Sequence, residues 1–227
     1  MTKNLLRILT ENKNDKKPVL HLQRLAGNDS ELADLKDFTW LQTLMIYQRA
    51  SKKPLKIPVL PKQIKKLGIL GNQISDICNL ADLSELEELQ LSDNQIFDIT
   101  ALANLRQLKI LILRNNQIRD ISSLLNLTEL EYLDLSNNLI SDISVLASLK
   151  KLESLYLANN QLVDISVLAQ LKELYVIELA SNQIQQVSAL ANLPHLEKLD
   201  IRYNQIRDIS PISIPFFGEL KTEGNPH

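Results

Sequence analysis

Every 22 residues the chain returns to the same polar groups, and any chemistry would have to start there. Asparagine recurs at Asn72, Asn94, Asn116, Asn138, Asn160, Asn182 and Asn204, and Asp-Ile-Ser/Thr follows at 98–100, 120–122, 142–144, 164–166 and 208–210. Carboxylates one period apart are a pattern that could gather calcium. The glycine-rich calcium-binding nonapeptide is absent, however, and short polar side chains bonding nearby backbone N–H groups account for the triplet. An asparagine amide donates two hydrogen bonds and accepts others. Left buried and unpaired it would cost ~1–3 kcal/mol, so a structural ladder bonded to backbone of its own and adjacent segments is expected. His21, His195 and His227 are far apart, and none pairs with Cys78, which replaces the usual Ser/Thr and is expected to be a packed thiol. No phosphate-binding glycine loop or metalloprotease helix motif is present. No catalytic residue, metal or cofactor is expected.

The elements that carry these columns change period within each unit. Repeats start at Ile64, Leu86, Leu108, Leu130, Leu152, Leu174 and Leu196, and positions 1, 4, 6, 11, 14, 17 and 20 are aliphatic in the first six. Positions 4 and 6 alternate as a short strand does, for example Leu133 and Leu135 around Asp134. Positions 11 to 20 step by three, which suits tight 3₁₀ structure. Each repeat is therefore one coil: strand, turn, short helical return. One coil buries too little to offset its own ordering, whereas stacked coils share their apolar faces.

The stretch "LEYLDLSNNLISDISVLASL" resembles the 22-residue class of leucine-rich repeat, which includes internalin-like proteins and phosphatase regulatory subunits. The resemblance covers residues 64–216 strongly and 217–225 weakly. It implies an α/β fold: a right-handed solenoid, or horseshoe, with parallel strands on the concave face and short 3₁₀ or irregular returns on the convex face. Members typically bind proteins with the concave face. Gln186 in place of the triplet Asp and Gly68 with Gly71 in the first full strand depart from the pattern, and no internalin-type signal peptide, C-terminal cysteine-rich cap or cell-wall anchor is expected.

Three segments are expected. Residues 1–63 form an N-terminal cap of irregular coils, with a strand in "PVLHLQ", a helix in "DSELADLKDF", and Leu41, Leu44 and Ile46 at positions 1, 4 and 6. Trp40 and Phe38 are read as core filler. Within the cap, "SKKPLKIPVLPKQIKK" is expected to be an extended, solvated loop or a site for an acidic partner, nucleic acid or a membrane surface. Seven repeats span 64–216. Residues 217–227 make a truncated eighth, in which Phe217, Leu220 and Asn225 take positions 1, 4 and 9 and Phe216 with Phe217 closes the last apolar layer.

Charge is divided along the chain: residues 1–75 hold 14 basic and 6 acidic residues, residues 76–227 hold 11 and 21. Weak head-to-tail self-association is one expectation from this polarity. The absence of aromatics among the lysines of 49–66 argues against nucleic acid. No stretch approaches the ~18–20 apolar residues of a membrane helix, the opening "MTKNLLRILTENKNDKK" is a poor secretory signal, and one cysteine fits a reducing cytoplasm. A cytoplasmic location is expected, with export lacking a classical signal as the alternative.

Strand positions 3, 5 and 7 should face outward. With strands ~4.8 Å apart, Ile110, Ile112, Tyr132, Tyr156 and Val176 fall in one patch, rimmed by Arg114, Asp134, Glu178, Asp200 and Arg202. Apolar and aromatic anchors inside a polar rim are the anatomy of a protein interface. The expected function is a non-catalytic protein–protein interaction scaffold; the alternative is a regulatory or targeting module for an enzyme, of phosphatase or effector-ligase type, on another chain.

Overall fold

The computed structural model describes residues 11, 14–22, 35–47, 54–212 and 218–226. Among these described residues, ten parallel strands form one open sheet in strict chain order. They are β1 (Val19–Leu22), β2 (Thr43–Ile46), β3 (Lys66–Ile69), β4 (Glu88–Gln90), β5 (Ile110–Ile112), β6 (Tyr132–Asp134), β7 (Ser154–Tyr156), β8 (Val176–Glu178), β9 (Lys198–Asp200) and β10 (Glu219–Lys221). From β3 to β9 the register advances by one repeat per strand, with Leu111 opposite Leu133 and Leu133 opposite Leu155. Position-4 side chains therefore stack as one inward row while positions 3 and 5 share the outer face.

The chain returns through 3₁₀ turns at Cys78–Leu80, Thr100–Leu102, Ser122–Asn126, Ser144–Ser148, Ser166–Gln170 and Ser188–Leu190. Their bonds span three residues, as in Leu124 N–H to Ile121 C=O at 3.0 Å and Leu127 N–H to Leu124 C=O at 3.0 Å. In 3₁₀ geometry side chains three apart eclipse one another. The step of three thus sends Ile121, Leu124 and Leu127 into the same aliphatic interior as the strand leucines. This is the leucine-rich repeat solenoid that the repeat implied, with strands on one side and short returns on the other.

The asparagines pin coil to coil. Asn138 Oδ1 accepts the Ile118 N–H of the preceding coil at 3.0 Å, and its Nδ2 donates to Leu113 C=O at 3.1 Å and Leu135 C=O at 3.0 Å. Asn94, Asn116, Asn160, Asn182 and Asn204 repeat the arrangement, each accepting from the preceding coil's position 11. Asn225 extends it, accepting from Ile206 N–H at 3.3 Å. Asn72 starts the ladder by donating to Leu70 C=O at 2.7 Å, but its Oδ1 has no partner among the described residues. The residue before each of these asparagines holds a positive φ, as at Asn137 (56°), Ser181 (57°) and Tyr203 (55°).

Two details of the amino-terminal reading change. Residues 54–61 have no regular structure, as expected, yet they are packed rather than solvated: Leu55, Ile57 and Leu60 are buried. The segment replaces a convex return, alternating Leu55 and Ile57 inward while Ile57 C=O accepts the Asn79 amide at 2.6 Å. Lys62, Lys65 and Lys66 pair with Asp82, Glu87 and Glu88 of the next coil at 3.7, 2.9 and 3.1 Å. The strand expected in "PVLHLQ" is β1, and Leu41, Leu44, Ile46 and Phe38 are buried. Trp40 packs on Phe38 with ring centroids 5.4 Å apart. Of the expected 29–38 helix, residues 29–34 lie outside the described residues, and Leu35–Asp37 form a single 3₁₀ turn. Phe216 and Phe217 also lie outside them.

Candidate functional site

The sheet's outer face carries the candidate residues because every strand turns positions 3 and 5 away from the leucine core. Across position 3, Ile110 stands opposite Tyr132, Tyr132 opposite Ser154 and Ser154 opposite Val176. Across position 5 the row runs Ile112, Asp134, Tyr156, Glu178, Asp200 and Lys221. Ile110, Ile112, Tyr132, Tyr156, Val176 and Glu178 are all half-buried. The Tyr132 and Tyr156 rings lie diagonally against each other, centroids 5.1 Å apart and 34° between planes, within the range of favourable aromatic pairs.

The charges are arranged differently from a simple rim. Asp134 is inside the patch, only 8% exposed, between Ile112 and Tyr156, and its Oδ1 accepts Ser136 N–H at 2.9 Å. Asp200, also 8% exposed, is clamped by Arg202, with Nη2 to Oδ2 at 2.6 Å and Nε to Oδ1 at 3.0 Å. Burial works against the Asp200 carboxylate, but the Arg202 bonds prevail and hold its pKa below the ordinary range. Arg114 remains exposed at position 7.

Glu178 titrates in the opposite sense. Burial, then the Asp200 and Asp134 carboxylates, push its pKa above the ordinary value, against a weaker pull from Lys221 and Arg114. Burial also raises the Tyr132 phenol, helped by Tyr156, Asp134 and Glu178. Lys221 and Met45 belong to this face but were not among the residues singled out from the sequence. Lys221 pairs with Glu219 at 2.8 Å. Met45 lies over Gly68, where an added Cβ would collide with its Cε. Position 5 of "WLQTLMIYQ" was the available signal for Met45.

The other polar columns are engaged locally. Asp98, Asp120, Asp142, Asp164 and Asp208 each accept the backbone N–H two residues on at 2.8 Å; that bond leads in lowering the carboxyl pKa of the first four, and the Ser210 side chain followed by its N–H lowers that of Asp208. Asp76 does the same for Cys78 N–H at 2.9 Å. Cys78 itself is an exposed thiol, not a packed one, because this position turns its side chain outward as Thr100 and Ser122 do. Bonding to Asp76 pushes its pKa up, away from reactive thiolate. His21 stands edge-on to Tyr47, His195 is exposed and His227 lies outside the described residues. Among the described residues no three His, Cys, Asp or Glu side chains are grouped to hold a metal ion, and no helix is long and apolar enough to cross a membrane.

Comparison with known proteins bears on the array as a whole. The family model "Leucine Rich repeats (2 copies)" matches residues 106–148, 150–192 and 176–214. Internalin C2 of Listeria monocytogenes is similar at 32% identity over 86% of this chain and 84% of its own, with a TM-score of 0.75. Internalin F of the same organism is similar at 30% identity and TM-score 0.77 over 89% of this chain, which spans 58% of that one. A leucine-rich repeat protein of Leptospira interrogans, 23% identical, shares the fold over 99% of this chain and 64% of its own at TM-score 0.74. No curated protein matches the sequence.

Proposed function

This chain belongs to the leucine-rich repeat family, a common protein-interaction scaffold, and we propose that it is a non-catalytic scaffold that binds a protein partner on the outer, concave face of its sheet. The observation that carries this reading is the Tyr132–Tyr156 pair, set among Ile110, Ile112 and Val176 on a face with no covering layer among the described residues. A parallel sheet is ordinarily covered on both faces. Rigid aromatic and aliphatic anchors on the uncovered side are what a partner would bury.

The test is affinity capture from lysate of the source organism, with the wild-type chain beside the Ile112→Glu/Tyr156→Glu double variant. Both substitutions replace outer-face side chains, so circular dichroism should show two folded proteins. A partner held by wild type and lost by the double variant supports the reading. The same partner on both variants would remove the function from this face.

A further inference from the structure

The occupied and unoccupied charges of the sheet face differ, and the difference bears on what binds there. Along position 5, Tyr156 is flanked in register by Asp134 on one side and Glu178 on the other. Two strand spacings separate those two positions, about 10 Å, with a tyrosine ring between them and a second ring packed beside it. Asp134 spends one oxygen on Ser136 N–H. Glu178 is half-buried, and burial together with the charge of Asp200, its in-register neighbour on β9, acts on it; no hydrogen bond from a described residue supports its carboxylate.

The face's own cations are mostly committed elsewhere. Lys66 pairs with Glu88, Arg202 with Asp200 and Lys221 with Glu219. Arg114 and Lys198 are the exceptions: both are exposed, Lys198 lies at position 3 opposite Val176, and Arg114 pulls on Glu178 less than Lys221 does. An apolar partner surface laid over Glu178 would strip its remaining water without return, and an acidic one would add repulsion. A cation would meet the half-buried Glu178 carboxylate and a π face together, with the buried Asp134 charge one strand away on the other side of Tyr156.

Resting on the sheet-face reading above, we propose that the partner is a basic protein segment that seats a Lys or Arg side chain on Tyr156 between Asp134 and Glu178, with an adjacent apolar residue on Ile110 and Ile112. A second copy of this chain is a weaker fit, since Lys62, Lys65 and Lys66 of its basic half already hold acidic partners in the next coil.

The experiment selects peptides from a displayed random library on the immobilised full chain, then measures the enriched peptides against variants. The expected result is enrichment of Lys or Arg beside an apolar residue, with binding that weakens at high salt. Glu178→Gln should weaken such a peptide roughly tenfold, the scale of losing one charge-assisted contact. Glu178→Lys should turn selection toward acidic peptides, and Tyr156→Ala should abolish binding. Peptides lost in Tyr156→Ala but without basic enrichment, and indifferent to Glu178→Gln, would overturn the basic-partner inference and leave the sheet-face reading standing. No enrichment, or binding indifferent to Tyr156→Ala, would sink both. Concentration-dependent mass in sedimentation that Glu178→Lys removes would replace the separate partner with a second copy.

Discussion

Asn138 and Asp134 lie four residues apart in one coil, yet the columns they belong to put the 22-residue period to different use. The asparagine column hardly varies: from Asn94 to Asn204 the acceptor bond to the preceding coil stays between 3.0 and 3.1 Å. The position-5 column changes at nearly every step, through Ile112, Asp134, Tyr156 and Glu178. A buried amide enclosed by fixed backbone groups tolerates one residue type. An outer position is constrained only by its lateral neighbours, so it is free to serve recognition.

Breaking the ladder should have the largest effect. Asn138→Ala leaves the Ile118 N–H without its acceptor and the Leu113 and Leu135 carbonyls with one amide donor each, from Asn116 and Asn160, and should cost about 3 kcal/mol in urea unfolding. A loss as small as that of an outer-face substitution would erase the distinction between the columns. Next comes acid. The Asp76, Asp98, Asp120, Asp142, Asp164 and Asp208 carboxyls have folded pKa values below their unfolded ones. Their contribution is complete above about pH 4 and lost as pH falls through the folded values. Glu178, raised instead, contributes in the opposite direction, so Glu178→Gln should make the fall in stability below pH 5, followed by urea midpoint, slightly steeper. The smallest effect is a gain. Ser181 holds φ 57°, where Asn115, Asn137 and Asn159 serve other coils. Ser181→Asn should add about 0.5 kcal/mol.

Most of the array was legible because its cause is local and repeated. Leu133 and Leu135 alternate, Ile121, Leu124 and Leu127 step by three, and Asn138 falls where both patterns meet; each pattern has one physical solution. The face was legible only as a set of residues. That Asp134 lies buried within the patch depends on how strands 22 residues apart align, and that Asp200 is taken by Arg202, two residues on, depends on side-chain reach. Leu55 and Ile57 were hidden for another reason. Their proline-flanked, lysine-rich setting reads as solvated, and only the stacked coil beside them supplies the surface on which they pack. Cys78 shows the converse, a residue whose backbone is needed and whose side chain is not.

The identical stapling of coil to coil has a consequence for how such a molecule can change over generations. Each coil offers its successor the same acceptors and receives the same donors, so excising or duplicating one 22-residue unit among the central coils leaves matching groups face to face. Length is therefore a quantity that can move in whole steps, about 4.8 Å each, whereas the width of a coil is held by seven aliphatic positions that must all change together. A lineage can lengthen or shorten its docking surface without reinventing its core.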